Sequence, residues 1–113
     1  MNVVSDQQGC PTYAADLAAA IMQIITSGKV ADQAGIYNYS NSGITNWYQF
    51  ALAIKELSGS KCIINPTPSS NYPTPAKRPA YSVMDTAKIQ ETFNIVIPFW
   101  KDSLQKCLTI IGQ

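Results

Sequence analysis

The chain has 113 residues, a net charge of +1, 46% hydrophobic and 13% charged residues. That length allows one domain or part of one, and a near-neutral charge gives no reason to expect nucleic acid or an anionic membrane surface as partner. The absence of histidine excludes Ser-His-Asp triads, Cys-His pairs and histidine-ligated metals.

Val3-Val4 reads as the end of a short strand, followed by a polar loop, Ser5 to Thr12, punctuated by Gly9 and Pro11. Thr12 is the expected N-cap of a helix running to Ser27. Leu17, Ile21, Ile24 and Ile25 recur on one face of it, which is expected to be the buried one, and Gly28 stops it. Gly35 to Tyr39 is expected as a second strand because isoleucine and tyrosine suit a pleated surface. Ser40 to Gly43 is a turn, and Thr45 is expected to cap a second helix. That helix carries Trp47, Phe50, Ala51, Ile54 and Leu57 on one face and ends at Gly59. Such an aromatic stripe suits a core, although Trp47 or Tyr48, in the first turn, could instead edge a ligand cleft.

Lys61 to Asn65 is expected as a third strand. Further on, Asp85 is expected to cap a brief helix through Ile89 to Phe93, and Pro98 to open a last helix. In that helix Trp100, Leu104, Cys107, Leu108 and Ile111 share a face. The expected fold is therefore α/β: a helix-rich lobe with a small sheet of two or three short strands. So small a sheet does not make an independent doubly wound fold, and the chain reads as one end of a larger α/β protein. Cys10, Cys62 and Cys107 are odd in number and follow no CxxC pattern, which fits reduced, mostly buried thiols in a cytoplasmic protein. The start of the chain has no signal-peptide pattern, and no apolar run approaches the ~20 residues of a membrane span.

The stretch with the most chemistry is Asn71 to Ser82. Five of the seven prolines fall between Pro66 and Pro79, so the segment can be neither helix interior nor central strand. It carries Tyr72, Tyr81, Lys77 and Arg78, the only arginine in the chain. A stiff loop with a guanidinium, an ammonium and two phenols suits a ligand that has phosphates and rings. The competing reading is a solvated basic turn. A proline-rich peptide ligand is disfavoured, since no two prolines are three apart.

Four blocks carry a family resemblance: Asp6-Gln7-Gln8-Gly9-Cys10-Pro11-Thr12 with Asp16-Leu17-Ala18; Gly35-Ile36-Tyr37 through Thr45, Trp47-Tyr48 and Phe50-Ala51; Tyr72-Pro73-Thr74-Pro75-Ala76-Lys77-Arg78-Pro79 with Ser82, Asp85 and Lys88; and Phe93, Ile95, Pro98 and Trp100. In order and spacing they resemble the C-terminal part of the dTDP-4-dehydrorhamnose reductases, extended short-chain dehydrogenases/reductases that act on nucleotide sugars. The resemblance implies NADPH-dependent reduction of dTDP-4-dehydro-L-rhamnose to dTDP-L-rhamnose. It further implies that residues 1–113 are the substrate-binding lobe and that an N-terminal Rossmann lobe outside this chain holds NADPH and a Tyr-x-x-x-Lys catalytic pair. This chain has neither that pair nor a glycine fingerprint, so no catalytic or cofactor-binding residue is assigned within it, and the chain by itself is expected to be inactive.

Some members of the family bind Mg²⁺ at a dimer interface. Here Ala14-Ala15 follow the first block where a carboxylate would be needed, so no metal site is carried over, while a homodimer remains compatible. The expected substrate-binding residues are Arg78 and Lys77 for the pyrophosphate, Tyr72 for the nucleotide, and Gln7 and Thr12 for sugar or nucleotide. For Gln7 and Thr12 the simpler alternatives are loop structure and helix capping. The runner-up function is a non-catalytic nucleotide-sugar-binding or regulatory module.

Overall fold

The structure is a computed structural model that describes residues 1–112. The elements are β1 (Asn2–Val4), β2 (Gln8–Gly9), α1 (Ala14–Thr26), β3 (Thr45–Asn46), α2 (Trp47–Ser58), β4 (Asn65–Thr67), α3 (Ala87–Phe93) and α4 (Trp100–Ile111), with a single 3₁₀ turn at Ser69–Asn71. The strands form two two-stranded sheets rather than one: β1 pairs with β4 in parallel, and β2 with β3 antiparallel. No helix among the described residues is long and apolar enough to cross a membrane.

Several boundaries move from their expected places. The third strand forms at Asn65–Thr67, with Pro66 opposite Val3. The ladder uses Asn65 N–H to Met1 O (2.9 Å) and Ser5 N–H to Thr67 O (3.0 Å). Alternate residues therefore face β1, and the donor that proline lacks points away from it. The strand expected at residues 35–39 has no ladder partner and does not form. Its side chains hold that segment instead: the Tyr37 ring packs on Phe93 at 5.2 Å. The Lys88 ammonium lies 4.4 Å from the centre of the Tyr37 ring and donates to Ile36 O at 2.9 Å.

Helix ends shift because the caps expected from sequence are used elsewhere. Thr12 Oγ1 donates to Cys10 O, so α1 is preceded by Tyr13, which has no side-chain cap. At α2 the cap is Asn46, whose Oδ1 accepts the Gln49 N–H at 2.8 Å, while Thr45 pairs with Gly9. Asp85 Oδ1 accepts the Ala87 N–H (2.9 Å) from two residues before the start of α3, one before the N-cap position Thr86. Pro98 precedes α4 by two residues; its carbonyl is taken by Ser42 N–H (2.9 Å) and by the Asn41 side chain. Gly59 ends α2 in the left-handed region, φ 68°.

The apolar side chains gather into two small cores. One contains Ala20, Ile89, Phe93 and Ile95, flanked by Ile24, Tyr37, Tyr39 and Ile97. The other contains Ala53, Trp100 and Leu104, flanked by Phe50, Ile54, Leu57 and Leu108. This overturns the expected orientation of α1: Leu17, Ile21 and Ile25 are 38%, 48% and 59% exposed, and it is Ala20, with Ile24, that turns inward. The large aromatic Phe93 comes up against this helix, and a methyl group leaves room for it where a branched chain would not. Cys62 is exposed rather than buried.

A buried polar side chain joins the two cores. Asn41, 1% exposed, accepts the Tyr13 N–H at 2.8 Å and donates from Nδ2 to Asp16 Oδ2 (2.7 Å), Ser103 Oγ (3.0 Å) and Pro98 O (3.2 Å). The Ser103 hydroxyl donates in turn to Asp16. Beside it Ser42 exchanges backbone bonds with Pro98 and Trp100. Gly43, at φ 94°, lets the chain pass against Phe99 and Trp100, where a Cβ would collide with both rings. Burial, helped by the Asp16 charge, raises the pKa of the neighbouring Tyr39 phenol.

Asn41→Ala strips partners from several buried groups at once, and each one left unpaired costs roughly 1–3 kcal/mol. In urea unfolding of this chain it should lower stability by at least that amount. Ile21→Ser should cost less than about 1 kcal/mol, because half of that side chain already meets water. The opposite ranking would contradict the packing described.

Candidate functional site

One short loop holds the proline-rich segment at both ends. At the near end, both oxygens of the Asp6 carboxylate accept the Ser69 N–H (3.1 and 3.0 Å), and Oδ2 also accepts the Ser69 hydroxyl at 2.9 Å. At the far end, Gln8 N–H donates to Ala80 O (2.8 Å), and Gln8 O accepts both the Ser82 N–H (2.9 Å) and the Ser82 hydroxyl (3.1 Å). Gly9 lies so close that a Cβ there would sit 2.9 Å from Ser82 Oγ. Between these clamps residues 72–79 form an exposed arch. Prolines 73, 75 and 79 stiffen it, and the Thr74 hydroxyl donates to Ala76 O at 2.6 Å.

The arch overhangs three adjoining clefts of about 350, 800 and 320 Å³. Gln7 and Arg78 line all three, and Trp47 lines the first two. The first cleft is closed by Phe50, Cys10 and Pro79, the second by Tyr72, Lys77 and β1. Of the expected site residues, the fold thus brings Arg78, Lys77, Tyr72 and Gln7 around one concavity. Thr12 stands apart from it: its hydroxyl faces Cys10 O and the Asn41 N–H.

The electrostatics of the site are simple. Among the described residues the one ion pair is Lys101 with Glu56 at 2.7 Å, so Arg78 and Lys77 are not committed to a carboxylate. The Asp6 carboxyl titrates below its ordinary range, chiefly because the Ser69 backbone N–H, and then its hydroxyl, bond to the charged form. The second cleft offers an unpaired guanidinium and ammonium, an amide, a phenol and a half-exposed indole. That set can bind an anion joined to a ring.

Trp47 appears in the sequence only as a possible cleft edge. Its exposure, 47%, and its position facing two clefts come from the β2–β3 pairing, which sets the first turn of α2 beside residues 7–10. Asp6 carried no sequence signal for its role, since its partner lies 63 residues away.

A helix-rich α/β lobe with a cationic, aromatic cleft is a ligand-binding domain. A family model described as the RmlD substrate binding domain matches residues 1–112, and the chain belongs to that family. It is 38% identical to the dTDP-4-dehydrorhamnose reductase of Sinorhizobium fredii, in a match that covers 94% of this chain and 38% of that protein. The crystal structure of a Clostridium acetobutylicum dTDP-4-dehydrorhamnose reductase superimposes with a TM-score of 0.89 and 32% identity, over all of this chain and 39% of that one. The Bacillus anthracis dTDP-4-dehydrorhamnose reductase, solved in complex with NADP, gives 0.85 and 30%, over 94% of this chain and 36% of that one. The chain therefore spans well under half the length of these relatives.

The Asp6 latch has a defined pH dependence. A folded-state pKa below the unfolded one means that the latch is fully present above the ordinary aspartate value of about 3.9 and is lost as pH falls through the lowered one. In an NMR titration, the Ser69 amide resonance should hold its neutral-pH position down to pH ~4 and shift only below that. A midpoint at or above the ordinary value would count against the geometry.

Proposed function

We propose that residues 1–113 form the nucleotide-sugar-binding lobe of an NADPH-dependent dTDP-4-dehydrorhamnose reductase, which converts dTDP-4-dehydro-L-rhamnose to dTDP-L-rhamnose. The observation that carries this reading is Arg78: the sole guanidinium of the chain, without an intramolecular charge partner among the described residues, on a stiff arch where it lines three clefts together with Gln7. Family membership supports it.

In this reading Arg78 takes the pyrophosphate through two parallel hydrogen bonds, Lys77 adds charge, and Tyr72 contacts the nucleotide. Gln7 reaches the ligand from the opposite wall. The chain thus supplies binding energy remote from the reacting carbonyl, which orients the sugar for reduction. Neither a glycine-rich phosphate loop nor a Tyr-x-x-x-Lys pair occurs in these 113 residues. Hydride and proton transfer are therefore assigned to the rest of the reductase. The three free cysteines accord with a cytoplasmic enzyme.

Isothermal titration of dTDP into the full-length protein tests the role of Arg78. Hydrogen bonds to charged groups are worth roughly 1.5–3 kcal/mol, so Arg78→Ala should weaken binding about tenfold to a hundredfold. Arg78→Lys should recover only part of the loss, and NADPH affinity should stay unchanged. Equal affinities in all three proteins would remove Arg78 from the site. The 113-residue chain by itself, mixed with NADPH and dTDP-4-dehydrorhamnose, should not consume the reduced cofactor faster than a protein-free blank; measurable turnover would overturn the assignment of catalysis to the rest of the reductase.

A further inference from the structure

Residues 6 to 8 act on the arch as one clamp. Asp6 takes its start at Ser69, Gln8 takes its end at Ala80 and Ser82, and Gln7 between them faces the clefts. The far grip is a backbone exchange that any residue but proline at position 8 could make. The near grip depends on one side chain: a carboxylate with both oxygens on the Ser69 N–H and one also on its hydroxyl. Ser69 opens the 3₁₀ turn Ser69–Asn71 that leads into Tyr72. Asp6 lies with Lys77, Arg78 and Gln7 around the third cleft, yet makes no ion pair with either cation. A carboxylate that lines the same cleft as two cations would weaken their hold on a phosphate if it were free to pair with them. Both of its oxygens face Ser69 instead.

We infer that Asp6 is a positioning residue for nucleotide-sugar binding: by latching Ser69 it sets where the arch presents Arg78, and by keeping its oxygens on Ser69 it leaves that guanidinium to the ligand. The inference rests on the reading of Arg78 as the pyrophosphate contact.

The test is a double-mutant cycle in the full-length protein, titrated with dTDP. Asp6→Asn keeps the shape and removes the charge. It should weaken binding about threefold to tenfold, as expected when a charge-assisted contact becomes a neutral one. Ser69→Ala loses only the hydroxyl contact and should have a smaller effect of the same sign. If Asp6 acts through Arg78, the Asp6→Asn, Arg78→Ala double variant should bind no worse than Arg78→Ala alone. A purely structural role predicts that the losses add. Unchanged affinity in Asp6→Asn, or additive losses, overturns the inference.

A second readout does not depend on the ligand. The arch contains a tryptic site after Lys77, and native-state cleavage there reports how often the arch opens. Asp6→Asn should speed that cleavage severalfold. If wild-type protein fails to bind dTDP, the proposed function falls, and cleavage alone then decides the latch: faster cutting in Asp6→Asn upholds it, an unchanged rate overturns it.

Discussion

The structure depends on the Asn41 side chain. Each of the two apolar cores holds only three or four buried side chains, and dispersion between small cores is not directional. The relative placement of α1 and α4 is therefore left to polar contacts that have direction. Asn41 supplies them, reaching the entry of α1 through Tyr13 and Asp16, and α4 through Ser103 and the Pro98 carbonyl. Such a network specifies geometry only when every member is satisfied. Here no buried side-chain nitrogen or oxygen among the described residues lacks a partner.

The proline-rich arch is built on the opposite principle. Its residues are exposed and contribute to neither core, so packing cannot hold it. Its order comes from proline, which narrows the backbone before any ligand arrives, and from clamps at its two ends. A loop restricted in this way loses less entropy on binding than a free one. The division also means that changes on the arch need not disturb the Asn41 network, which lies on other elements.

Much of the secondary structure was legible along the chain. Helical periodicity located α1, α2 and α4, and Gly59 marked the end of α2. The density of prolines, with Arg78 and Tyr72 among them, pointed to the arch. The misplaced caps and strand share one cause, competition for hydrogen-bonding groups, and the misjudged face of α1 has another, side-chain packing. Thr12 and Thr45 are good caps in isolation, but one hydroxyl is drawn to Cys10 and the other residue is drawn into β3. The 35–39 segment has strand-forming residues and no neighbouring strand to receive them. On α1 the larger residues suggested the inner face, yet the shape of the Phe93 core favoured alanine.

The sequence by itself determined the elements whose causes are local: helix periods, the glycine stop, the proline-stiffened segment, the lack of histidine chemistry, and the motif order that marks the family. Only the tertiary structure decided which helix face is buried, that the strands split into two sheets, and that Gln7 and Arg78 meet Trp47 at two clefts and Asp6 at a third. Those outcomes depend on partners tens of residues apart, such as Asp6 with Ser69 and Asn41 with Ser103. Closing loops of that length costs entropy that local sequence cannot repay, so the contacts exist only once the rest of the fold has brought their ends together.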